Sequence, residues 1–214
     1  MPVESVTLRI AGTQLTGDLA MPDEAAGLVL FAHGSGSSRH SPRNQAVAAQ
    51  LNDRGFGTLL LDLLTPAEDQ TDEVTHEHRF DIALLAHRLS GAADWLAARA
   101  TDLPLGLFGA STGAAAALIT AAERPELVRA VVSRGGRPDL ADGALADVRA
   151  PVLLLVGGRD DIVIKLNEEA AEQLTAPHEL RVIPGATHLF PEPGALEEVG
   201  AAAADWFTRM APAG

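Results

Sequence analysis

The 214-residue chain contains no cysteine. Disulfides, cysteine-ligated metal sites and a cysteine nucleophile are therefore excluded, and the composition fits a reducing compartment. Aromatic residues make up only 4%, so the core has to be built from Leu, Val, Ile and Ala, side chains that let helices pack close on a sheet. There is no basic stripe. Lys and Arg number 16 against 29 Asp and Glu, a formal net charge of -13 with a pI near 4.8. Such a surface repels polyphosphate, and a nucleic-acid partner is not expected. No apolar run reaches the roughly 18 residues that a membrane helix needs. The opening MPVESVTLRI lacks the basic-then-apolar pattern of a secretion signal. Together these absences lead to the expectation of a cytoplasmic protein with no membrane partner. No stretch suggests a second domain, so residues 1–214 are read as one.

What is present is an alternation of apolar runs and helical stretches. Residues 6–12 and 15–22 read as a hairpin with glycines near its turn. Six further runs read as strands: 27–34, 55–64, 103–109, 128–136, 151–158 and 178–185. They are nearly continuous in apolar residues, as strands buried on both faces of a parallel sheet are. Helical periodicity lies between them at 43–54, 77–100, 111–124 and 166–175, and again at 195–210 before a stop at APAG. Gly91 is expected to weaken or bend the second of these. A polar, acidic loop is read from residue 65 to about 75, and residues 65–76 are the one insertion that could act as a small lid. Crossovers of this length force parallel pairing and cover both sheet faces with helices. The expected fold class is α/β, with a mostly parallel eight-stranded sheet and no large cap domain. In open sheets of this type ligands bind beyond the carboxyl ends of the strands. The loops starting at His33, Asp62, Gly109, Ser133, Gly157 and Gly185 should therefore share one rim.

The strongest local signal is Gly109-Ala110-Ser111-Thr112-Gly113. It follows an apolar strand and opens an Ala-rich helix, the context of a nucleophile elbow. Such a turn is so tight that the serine is strained and any side chain two residues to either side collides with strand or helix. The plainer alternative is a glycine-rich turn in which Ser111 only caps the helix. A serine hydroxyl needs a base, and the base an orienting acid. The expected order is serine, then acid, then histidine. Residues 151–158 lead into Asp160 and Asp161, either of which could be the acid. The last strand leads through Pro184 and Gly185 to His188.

Acyl transfer also needs two N–H groups facing the developing oxyanion. Thr112, next to the nucleophile, and Ser35, in the loop His33-Gly34-Ser35-Gly36-Ser37-Ser38, are expected to supply them from their backbones. His33 is read as a structural donor holding that loop. The loop lacks the lysine and spacing of a phosphate-binding motif. Arg39, His40 and Arg43 lie just beyond it, and Arg134 and Arg137 end another strand. Of these, Arg39, Arg134 and Arg137 are candidates to bind an anionic or highly polar acyl substrate, against the alternative that they pair with acids such as Asp62, Glu68 or Asp139. His76, His78 and His87 do not form a zinc-binding spacing and read as solvated helix residues, and His178 as a surface group.

The segments HGSGSSRHSPRN, GASTG, SRGGRPDL, VGGRDDIV and PGATHLF resemble those of the α/β-hydrolase superfamily, and within it the dienelactone-hydrolase-like group, over nearly the whole chain. The resemblance implies a nucleophile at Ser111, an acid at Asp160 rather than Asp161 and a base at His188. Dienelactone hydrolases use cysteine as nucleophile, and a serine there turns the expectation to ordinary ester hydrolysis. The first segment also resembles hydrolase domains associated with phosphoribosyltransferases, of which this chain carries no signature. The expected activity is cleavage of carboxylic esters with small or polar acyl groups, on a small-molecule substrate, with no metal and no organic cofactor. A thioesterase, an amidase or peptidase, and a non-catalytic binding protein on the same fold are the alternatives.

Overall fold

The computed structural model describes residues 2–100 and 102–210. The chain opens with a hairpin of β1 (Val3–Ile10) and β2 (Thr13–Ala20). Its two-residue turn puts Ala11 and Gly12 at φ 48 and 83, the twist that suits a tight hairpin. The rest alternates: β3 (Gly27–Ala32), α1 (Pro42–Asp53), β4 (Phe56–Leu61), α2 (Pro66–Thr75), α3 (Ile82–Arg99), β5 (Leu105–Ala110), α4 (Thr112–Glu123), β6 (Val128–Arg134), β7 (Val152–Gly157), α5 (Asp161–Gln173), β8 (His178–Ile183) and α6 (Ala195–Met210). The expected stop at residues 211–214 lies outside the described residues. The eight strands form one sheet in the order β1-β2-β4-β3-β5-β6-β7-β8. β1/β2 and β2/β4 pair antiparallel and the remaining neighbours pair parallel. Among the described residues no helix is long and apolar enough to cross a membrane.

Alternation along the buried strands divides the core in two. Leu30, Leu59, Leu107, Val131 and Leu154 face α3 and α4. Val29, Phe31, Phe108, Val132 and Leu153 face α1 and α6. Small residues bring the helices close: Ala114, Ala115, Ala116 and Ala117 of α4 are fully buried. Gly91 does not interrupt α3. A Cβ there would stand 2.4 Å from Cγ2 of Ile10, so the glycine makes room for β1.

Three expectations need correction. The acidic segment after Asp62 is a helix, α2, and not a loop. Thr65 and Glu68 form a reciprocal capping box, and Pro66 opens the first turn, which stabilises a helix whose apolar content is too low to reveal it. The helix expected from residue 77 begins at Ile82. The carboxylate of buried Asp72 takes the backbone N–H groups of His78 and Arg79 at 2.8 and 2.9 Å, holding the chain out of helical geometry until Asp81 caps α3 through the Leu84 N–H. The helix expected at 166–175 begins at Asp161, directly behind β7. A kinked pair of 3-10 helices at Pro138–Asp147, with Asp142 at φ 44, was not foreseen. The left-handed Asp142 divides it into two pieces too short to show a helical period.

Candidate active site

Ser111 sits between β5 and α4 at φ 51 and ψ -120. For a residue with a Cβ this conformation costs on the order of 1–3 kcal/mol and persists only where the surroundings enforce it. They do so through close backbone approach. A Cβ at Gly109 would lie 2.4 Å from the Cα of Ala114, and one at Gly113 would lie 2.3 Å from the carbonyl oxygen of Ala32. The main chain of Ser111 is tied down on both sides: its N–H donates to the Arg134 carbonyl at 3.3 Å, and its carbonyl accepts from Arg137 N–H and Ala114 N–H, each at 3.1 Å. Its hydroxyl makes no capping hydrogen bond to α4, so the capping alternative does not describe it.

The loops after β7 and β8 are stitched together. Gly158 N–H donates to the Ile183 carbonyl at 2.8 Å, and Arg159 N–H to the Ala186 carbonyl at 2.9 Å. Gly157 permits this, since a Cβ there would stand 2.6 Å from the Ala186 carbonyl oxygen. Across the seam His188 Nδ1 bonds Asp160 Oδ2 at 2.6 Å. The carboxylate is an acceptor only, so Nδ1 is the donor of this bond, and in the neutral imidazole the lone pair then lies on Nε2. The Asp160 side chain is 15% exposed and the imidazole 40%. Asp161 turns outward in the first turn of α5. His188 lies over the end of β6: a Cβ at Gly135 would be 3.1 Å from the His188 carbonyl oxygen and 3.6 Å from its ring Cε1. Because the preceding residue, Arg134, receives the Ser111 N–H, the serine and the imidazole flank one strand end. The turn before His188 is closed by Glu192, whose Oε1 accepts from Thr187 N–H at 3.1 Å and Thr187 Oγ1 at 2.7 Å. Those bonds, the Thr187 hydroxyl foremost, hold the Glu192 carboxyl below its usual range. Nothing in the sequence marked Glu192.

The loop after β3 packs directly on the elbow. A Cβ at Gly34 would be 3.0 Å from Cβ of Ser111. Ser35 Oγ bonds Thr112 Oγ1 at 3.0 Å, which brings the two expected oxyanion donors together. Among the described residues neither the Ser35 nor the Thr112 N–H has a hydrogen-bond partner. His33 holds the loop as expected: its Nδ1 meets the Gly34 carbonyl at 2.9 Å, and its Nε2 accepts from Leu63 N–H at 3.0 Å. Burial pushes its pKa down, so the ring is a neutral strut. His76, His87 and His178 are exposed. Among the described residues no group of three or more His, Asp or Glu side chains is placed to hold a metal ion.

The model of the dienelactone hydrolase family matches residues 15–212. The chain belongs to the dienelactone hydrolase family. The crystal structure of a dienelactone hydrolase from Anabaena variabilis is 54% identical and superposes with a TM-score of 0.96, covering 98% of each chain. A Mycobacterium tuberculosis protein provisionally named a phosphoribosyl transferase is 52% identical over 206 residues, 95% of this chain and 46% of its own length. This chain thus spans about half the length of the curated relatives it matches. The esterase domain of a Rhodothermus marinus protein, 22% identical with a TM-score of 0.77 over 97% of this chain and 99% of its own, shares the fold.

In this family member the three candidate arginines have different surroundings. Arg39 is held by carboxylates: its N–H donates to Asp62 Oδ1 at 2.7 Å, its guanidinium pairs with the same carboxylate, and its Nε lies 3.3 Å from Asp18 Oδ2. Arg137 makes a bidentate pair with Asp139 at 2.8 and 2.7 Å, and that bond raises its pKa. Arg134 has no such partner among the described residues. It is 7% exposed, its Nη1 is buried without an acceptor, and burial pushes its pKa down to about 10.

Proposed function

We propose that the chain is a serine-dependent hydrolase that cleaves carboxylic esters of small or polar acyl groups through an acyl-enzyme. One observation carries this reading. A serine held at positive φ on a strand-to-helix turn shares a rim with an imidazole whose Nδ1 is bonded to a carboxylate at 2.6 Å. Ser111 is the nucleophile, His188 the general base and Asp160 the acid that fixes the imidazole tautomer. As the Ser111 hydroxyl attacks the ester carbonyl, Nε2 of His188 takes its proton. The backbone N–H groups of Ser35 and Thr112 receive the oxyanion; each such donor is worth about 3 kcal/mol in a site of this kind. The protonated imidazole then delivers its proton to the departing alcohol. A water activated by the same nitrogen releases the acid and restores the serine.

The similarity to a dienelactone hydrolase supports ester chemistry, since a lactone is an internal ester. The lack of cysteine assigns the attack to serine. Small and polar acyl groups are favoured because no large insertion covers the strand ends. The relatives' phosphoribosyl transferase name belongs to chains about twice as long as this one. A cysteine-free, acidic chain suits the cytoplasm.

Turnover of 4-nitrophenyl acetate by the wild type and by Ser111→Ala tests the assignment. Loss of at least about a thousandfold with an unchanged circular dichroism spectrum is expected. Undiminished turnover in the variant would refute the role of Ser111. A parallel panel of ester, thioester and anilide substrates sets the leaving-group class, with the ester expected to be fastest.

A further inference from the structure

The buried face of α5 contains one residue that packing alone does not explain. Val163, Asn167 and Ala170 are its buried positions, and Leu174 continues them, the spacing of a helix face laid against the protein. Asn167 is 0% exposed. Its Nδ2 donates to the carbonyl of Val163, one turn back in the same helix, at 2.8 Å, and to the carbonyl of Gly136 at 3.0 Å. Its Oδ1 is buried and has no partner among the described residues. A buried amide with an unbonded oxygen carries a desolvation cost that an apolar side chain of the same shape avoids. Packing therefore favours leucine at position 167. What asparagine supplies instead is the N–H bond that joins α5 to Gly136.

Gly136 belongs to the short loop after β6, and that loop grips the elbow. The Arg134 carbonyl accepts the Ser111 N–H at 3.3 Å, and Arg137 N–H donates to the Ser111 carbonyl at 3.1 Å. Gly136 lies between these two anchors. It also presses on α4: a Cβ there would run into Ser133 Oγ and stand 2.7 Å from Cβ of Ala114. Its neighbour Gly135 donates to the Leu155 carbonyl at 2.7 Å and underlies His188. At the other end of the bond, Asn167 stands two helical turns beyond Asp160, the N-cap residue of α5. One helix thus carries the carboxylate that holds His188 and the amide that holds the loop around Ser111.

We propose that Asn167 is a positioning residue for the reaction: through the Gly136 carbonyl it sets the loop that grips Ser111 at a fixed place relative to the helix that presents Asp160. Its role in the reaction rests on the ester-hydrolase reading above. The tie between α5 and the loop does not. The bond fixes the main chain of the serine against the acid and the imidazole, so that the Ser111 hydroxyl and Nε2 of His188 meet at proton-transfer distance. A misplacement of about 1 Å between reacting groups costs about a hundredfold in rate. Asn167 is fully buried and reaches no substrate, so its effect falls on kcat and leaves KM alone.

Two measurements on the full chain test this. In the first, kcat and KM for 4-nitrophenyl acetate are determined for wild type, Asn167→Leu and Asn167→Ala. Leucine keeps the branched shape without an N–H, and alanine removes both shape and donor. In each variant kcat is expected to fall at least about tenfold, with KM within about twofold and an unchanged circular dichroism spectrum. A loss common to both belongs to the missing N–H. Wild-type kcat in either folded variant, or a loss confined to KM, overturns the proposal. Asn167→Ala keeps the test available if Asn167→Leu does not fold. The second measurement needs no turnover. Hydrogen exchange of the Arg137 amide, which donates to the Ser111 carbonyl, is expected to quicken at least about tenfold in Asn167→Ala. The Gly158 amide, bonded to the Ile183 carbonyl, should exchange as in the wild type. An Arg137 amide as protected as in the wild type overturns the proposal. If the wild type cleaves no ester while that amide still quickens in the variant, the hydrolase reading falls and the tie between α5 and the loop stands.

Discussion

The turn after β5 and the turn after β8 each bring one candidate catalytic side chain to the rim, by opposite means. The elbow is built by main-chain contact. Gly109 and Gly113 bring backbone against backbone at distances that no side chain tolerates, and Ser111 is left with one conformation. The His188 turn is built by side-chain polar contacts: Glu192 ties Thr187, and Asp160 ties the imidazole. Steric exclusion acts over a few tenths of an ångström and works or fails as a whole. Hydrogen bonds are individually worth about 1 kcal/mol and yield gradually. One half of the site should therefore be brittle and the other tunable.

Four changes sharpen or break that contrast, in falling order of effect. Asp160→Asn leaves the shape of the pair but favours the wrong imidazole tautomer, and kcat should drop about a thousandfold or more. Asp161→Asn, in an exposed position, should stay within about threefold on the same assay. A reversed ranking would move the acid by one residue. Gly113→Ala pushes a methyl into the carbonyl of Ala32 and should lower stability by about 3 kcal/mol or more in urea melts. A variant of native stability would show that the elbow is more yielding than argued.

The third change probes a segment held by a helix cap and an ion pair. The carboxylate of Glu68 pairs with buried Arg88 at 2.6 Å, and the guanidinium bond holds its pKa down at about 2, against an ordinary 4.5. A carboxyl depressed in the folded state contributes stability above its ordinary pKa, and loses it as pH falls from about 4.5 through about 2. Glu68→Gln should cost about 2 kcal/mol at neutral pH, a figure discounted for its partial exposure. The difference from wild type in thermal midpoint should close across that acid window; a constant difference would argue against the ion pair. Last, Glu192→Ala should lower kcat a few fold with little change in KM or melting temperature, and Glu192→Gln, which keeps an acceptor for Thr187, should recover most of it. Equal loss in both variants would remove the positioning role.

These regions also differ in how far they can be read from residues in order. Each strand and the elbow are local: a run of Leu and Val next to Gly-x-Ser-x-Gly carries its own geometry. The acid was ambiguous between Asp160 and Asp161 until the resemblance, and then the His188 contact, separated them. α2 escaped because its stability comes from the Thr65 cap and from Arg88, 20 positions beyond Glu68, and not from an apolar stripe. Asp72 shows the same principle in reverse. It is fully buried, yet its bonds to His78 and Arg79 stop a helix that periodicity alone would have begun. The three rim arginines looked alike in sequence, and only their neighbours made two of them structural.

By itself the amino-acid order determined the strands, most of the helices and the succession of serine, acid and histidine at strand ends, because each depends on side-chain period or on the sterics of a few adjacent residues. Tertiary structure decided which carboxylate meets His188 and which arginines are neutralised. Those outcomes depend on distances between residues far apart in the chain, where electrostatic energy is set by burial and by the nearest opposite charge.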